Sequence, residues 1–95
     1  MFVVLLRFTD NKSIAAQHMP GHNAWLQQGF DDGTFLLAGS LQSGLGGAVM
    51  AHNISLADLQ RRVDDDPFVA ENIVKADIIE IAPGKTDERL AFLLA

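Results

Sequence analysis

Apolar side chains fall on both faces of the first strand-length run. In FVVLLRF, residues 2–8, alternation sets Phe2, Val4, Leu6 and Phe8 on one side and Val3 and Leu5 on the other. Such a run predicts a strand covered on both faces. Residues 9–19 are mixed and polar, and are predicted as a connection with room for one helical turn. Pro20 suits the first turn of a helix, where its missing N–H would have no partner anyway. The helix is predicted from Pro20 to about Phe30, with Gly33 closing it. His22, Trp25, Leu26 and Gly29 fall at i, i+3, i+4 and i+7 and so share one face.

The pattern then switches back to strands. TFLLAG, residues 34–39, and GAVMAH, residues 47–52, are predicted strands joined by the glycine-rich SLQSGLGG, residues 40–47. Ser55 is a good N-cap for a helix through Leu56, Leu59 and Val63. That helix should end in Asp64-Asp65-Asp66, because Pro67 pushes Asp66 out of the α region. Residues 67–72 predict one further turn and VKADIIEIA, residues 74–82, the last strand. Pro83-Gly84 stops it, and Thr86 is expected to cap a short terminal helix over 86–95. The order β-α-β-β-α-β is that of two interleaved split β-α-β units, an α+β architecture with a four-stranded antiparallel sheet and both helices on one face.

Two helices cover only one side of a sheet whose strands are apolar on both. The uncovered side would be a large apolar patch. A homodimer packed through the open sheet faces is therefore predicted, with tail residues Leu90, Leu93 and Leu94 docking on the partner.

Composition narrows the function. At 95 residues the chain is long enough for one domain, taken as 1–95 with a core of 2–83. Hydrophobic residues at 48% against 20% charged place it among globular rather than disordered chains. The absence of cysteine excludes disulfides, thiolate nucleophiles and Cys-ligated metals. The apolar N-terminus lacks a leading basic stretch and meets Arg7 too soon for a signal peptide or a membrane span, so a cytoplasmic protein is expected. Net charge is −5, and the scattered basic residues make no stripe to replace counterions. Nucleic acid and anionic membrane are thus disfavoured. A small molecule or another copy of the chain remains as partner.

The candidate chemistry is sparse. His18 and His22 are four apart, but a helix beginning at Pro20 would separate them, so no metal site is expected. Gly44, Gly46 and Gly47 lead into a strand rather than a helix and are not a nucleotide-binding loop, and no cofactor is expected. His22 and Asp66 are the best pair: each is predicted near the start of a helical segment beside the sheet. A helix N-terminus disfavours imidazolium and a nearby carboxylate favours it, and opposed influences of this kind suit a general base. Plainer roles fit the same residues. His22 suits a satisfied polar residue at a helix end, Asp66 before Pro67 an N-cap, and Trp25 and Phe68 either core or the lining of an apolar pocket. Gly46-Gly47 suit a turn or bulge.

The stretches GHNAWL, GTFLLAGS, GGAVMA, DDDPFVAENIV and IIEIAP, in that order and spacing, resemble the YCII-related (YciI-like) family over residues 2–83. The most specific parts are His22 ahead of Leu36-Leu37-Ala38-Gly39, and Asp66-Pro67-Phe68 before the last strand. The resemblance implies a ferredoxin-like dimeric α+β barrel and an active site built on His22 and Asp66. It departs from the family pattern at Ser40, where proline is usual, and at Ser43 and Gly44, where relatives carry proline and arginine. An arginine there would clamp a carboxylate or phenolate, and this chain has none.

Two functions follow as expectations. In the first, His22 and Asp66 perform general acid/base chemistry of the isomerase or lyase kind on a small cyclic or aromatic metabolite. Trp25, Phe68, Ser40, Gly46 and Gly47 would line its site. In the second, the pair is structural and the dimer is a ligand-binding or assembly module. An oxygenase related by fold ranks behind both.

Overall fold

β1 (Phe2–Phe8) runs through the middle of the sheet, paired antiparallel to β3 (Gly46–Ala51) on one side and β4 (Val74–Glu80) on the other. β2 (Phe35–Leu41) adds to the outer edge of β3, and the order is β2-β3-β1-β4. This computed structural model describes residues 1–94. The order is that of a ferredoxin-like α+β fold, as the pattern predicts.

Three helices lie on one face: α1 (Ala15–Asp31), α2 (Leu56–Asp64) and the single turn α3 (Pro67–Ala70). Beneath them β1 presents Phe2, Val4 and Leu6, and β3 presents Val49 and Ala51. These residues join Trp25, Phe35, Leu59, Val63, Phe68 and Ile73 in one core. Ser55 caps α2 as expected, its hydroxyl accepting the Asp58 N–H at 3.1 Å. The ends of α1 and α2 are tied by Arg62, whose guanidinium lies 2.7 Å from the Asp32 carboxylate. On the opposite face the register places Val3 between Met50 and Ile79, and Leu37 beyond Met50.

The first helix starts earlier than its pattern suggests. A 3-10 turn over Lys12–Ile14 feeds directly into α1, which runs through Pro20 without a break. Pro20 is thus an interior residue that gives up the bond to the Ala16 carbonyl. The predicted break between His18 and His22 does not exist. Gly33 closes the helix as expected, at φ +79.

β2 carries a register irregularity between Phe35 and Leu37 and runs on to Leu41, so that Ser40 lies in the strand, opposite Gly47, instead of opening the connection. The extra turn at 67–72 is shorter than predicted, and β4 stops at Glu80. The tail forms a 3-10 helix over Glu88–Leu94, begun by Asp87 rather than Thr86: the Asp87 carboxylate accepts the Arg89 N–H at 2.9 Å. Ala95, the last residue of the predicted tail helix, lies outside the described residues.

Candidate active site

Close approach of α1 to α3 creates the site. A Cβ on Gly21 would stand 3.0 Å from the Pro67 ring, so a side chain there would make the Pro67 ring give way by a few tenths of an ångström. The next residue of α1, His22, then lies flat on Phe68. The two rings are parallel within 3°, with centroids 4.1 Å apart.

Asp66 meets the imidazole at its edge, through a ring nitrogen. Its backbone is extended, at φ −62 and ψ 124, as the residue before a proline prefers. Its Oδ1 accepts the Phe68 N–H at 3.1 Å, capping α3, and meets His22 Nδ1 at 2.8 Å. The carboxylate is fully buried, while the imidazole keeps 13% of its surface exposed. Because Oδ1 is an acceptor, Nδ1 carries the hydrogen. In the neutral ring Nε2 is then the bare nitrogen, and it has no hydrogen bond among the described residues. Asp66 Oδ2 is buried with no partner either, a costly arrangement for a carboxylate oxygen.

His22 borders a cavity of about 300 Å³ between α1 and the sheet. Leu6, Gly47 and Val49 form its floor, Ala38 and Ser40 one side, Met19, Asn23 and Leu26 the helix side, and Phe68 an end. Among the described residues no aspartate, glutamate, lysine or arginine lines it, and His22 is the titratable one. The volume lies at the small end of ligand sites, and the apolar wall with a few polar groups is typical of them.

Of the residues expected to line a site, Ser40, Gly46, Gly47 and Phe68 border this cavity and Trp25 does not. Trp25 is buried against Phe35 and donates its indole N–H to the Arg62 carbonyl at 2.8 Å. It fastens α1 to α2, with its ring behind the imidazole at 5.9 Å. Core packing wins here because α2 supplies an acceptor that satisfies the indole. Gly46 is demanded by the sheet: at φ +137 a Cβ would collide with the Leu6 carbonyl oxygen. Gly47 keeps the floor low, since a Cβ there would lie 3.1 Å from the Gly39 oxygen.

Met19 and Asn23 escape a sequence reading. Met19 sits before the supposed helix start, and Asn23 belongs to no apolar periodicity. Continuity of α1 through Pro20 carries both onto the helix that walls the cavity, and no residue signals that continuity. His52 is remote from the pair. It bonds the Gly33 carbonyl through Nε2 at 3.0 Å and meets Phe92 edge-on. Among the described residues no three or more His, Cys, Asp or Glu side chains converge as a metal site. No described helix is long and apolar enough to cross a membrane.

Comparison with curated proteins finds no match. A sequence model of the YCII-related domain matches residues 1–82 of the 95, and the chain belongs to the YCII-related domain family.

Proposed function

We propose that His22 and Asp66 form a general acid/base pair acting on a small, mainly apolar cyclic metabolite bound in the cavity. The observation that carries this reading is the 2.8 Å contact through Nδ1, which leaves Nε2 of a cavity-lining ring without a partner. Asp66 fixes the tautomer and the ring plane, and Phe68 holds the imidazole from one side. Nε2 is then placed to take a proton from carbon next to a carbonyl, and to return it elsewhere on the substrate. Isomerisation, elimination and ring opening are the reactions such a transfer serves. Positioned acid–base catalysis contributes about 10²–10⁴-fold, so an already activated carbonyl compound is the fitting substrate. The uncharged wall favours a neutral ring. The unit would be a homodimer joined through the open sheet faces.

Proton exchange reports this chemistry whatever the final product is. The protein is incubated in D₂O with a panel of small lactones and cyclic enones, and deuterium entering next to the carbonyl is followed by NMR. Wild type should accelerate exchange of at least one compound, and His22→Ala should lose that acceleration about 100-fold or more. Exchange equal in wild type and His22→Ala across the panel removes the catalytic role.

The cap that Asp66 gives α3 favours a second reading, in which the pair is structural in a binding or assembly module. Asp66→Asn separates the two. A catalytic pair loses exchange activity with a modest change in melting temperature, whereas a structural pair mainly loses stability.

A further inference from the structure

The cavity wall carries no charge, yet a cation stands over one of the rings that border it. Lys12, in the 3-10 turn before α1, extends its ammonium over the ring of Phe8 at 4.9 Å from the centroid. Phe8 borders the cavity. The same Nζ reaches 3.5 Å from the carbonyl oxygen of Gly44, in the turn between β2 and β3. Gly44 offers no side chain to occupy that space: a Cβ there would lie 3.7 Å from Nζ. Lys12 makes no ion pair among the described residues, unlike Arg7, Arg61, Arg62 and Arg89.

Such placement is specific for a flexible side chain. A π face and one long carbonyl contact hold the ammonium without neutralising it. An ammonium has three donors, and these two contacts leave capacity for an anion. We infer that Lys12 reads the charged end of the ligand: the ring lies in the neutral cavity, and a carboxylate at its edge meets the Lys12 ammonium at the mouth. This rests on the cavity being the binding site, as proposed above, and adds the substrate class, a small cyclic carboxylic acid.

Benzoate and benzamide are matched probes, equal in shape and differing in charge. Each is titrated into ¹⁵N-labelled wild type and Lys12→Met, following the amides of Gly47 and Val49 on the cavity floor and of Ala38 on its side. Wild type should bind benzoate about fivefold tighter than benzamide, the size expected of a partly exposed ion pair. High salt should shrink that preference. Lys12→Met should abolish it, weakening benzoate more than benzamide. Equal affinities in wild type, or a preference that survives Lys12→Met, overturn the role of Lys12 while the cavity stands as a binding site. If neither probe shifts the floor amides, both the cavity reading and this inference fall.

Discussion

Gly29 sets how closely α1 can lie on the sheet. A Cβ there would run into the ring of Phe35, which is buried and has Trp25 tilted against it. In an isolated helix, Gly→Ala gains about 1 kcal/mol from propensity. Here overpacking, about 1–3 kcal/mol, acts against that gain, and the ring cannot retreat through the core. Gly29→Ala should therefore lower stability in urea denaturation, and an increase would show that α1 has room to lift. Asp66 is readable at this scale because it stands before Pro67, whereas the helix start that singled out His22 lies upstream at Ala15 and leaves His22 inside α1. Trp25 is not readable: a tryptophan on the same helix face as a histidine suits a pocket and a core equally. The carbonyl that decides between them belongs to Arg62, 37 positions away.

At the scale of elements, α1 and α2 are joined at their ends by a pair that should register in acid. Asp32 follows the last residue of α1, and its carboxyl is lowered from 3.8 to about 2, first by the hydrogen bond from Arg62 and then by those from Thr34. A carboxyl depressed in the folded state adds stability above its unfolded value and loses it as pH falls through the folded one. The stability difference between wild type and Asp32→Asn should hold steady above about pH 4 and shrink between about pH 4 and pH 2. Denaturation curves at a series of pH values measure it, and a difference that ignores pH over this window would exclude the pair as its source. The order of elements is readable because strand and helix periods differ. Their edges are less so. α1 begins without a side-chain cap at Ile14 and without an acidic first turn, so the start signal taken from Pro20 is a false one. The irregularity between Phe35 and Leu37 in β2 has no turn residue to announce it.

The whole molecule leaves one face of its sheet apolar. Leu37 is 53% exposed and Ile79 42%, and the register sets them on the same side as Val3 and Met50. At the far end of this face the exposed pair Arg7 and Asp77 stands 3.8 Å apart, so the apolar area has a polar border, as an interface core with a rim would. A face of this kind attracts a like face, and two-fold symmetry lets one patch serve both partners. A stable contact needs about 800 Å² from each partner. Wild type should therefore sediment at twice the chain mass. Leu37→Asp, placing a charge where the side chain is more than half exposed in the single chain, should give a folded monomer with unchanged far-ultraviolet circular dichroism. The cavity opens on the helix side of the sheet, so the monomer should still bind small probes there, with affinity altered only as far as the sheet itself loosens. A wild type that sediments as a monomer at micromolar concentration would mean that these exposed apolar residues are tolerated singly, and that the family resemblance carries the fold of one chain but not its pairing.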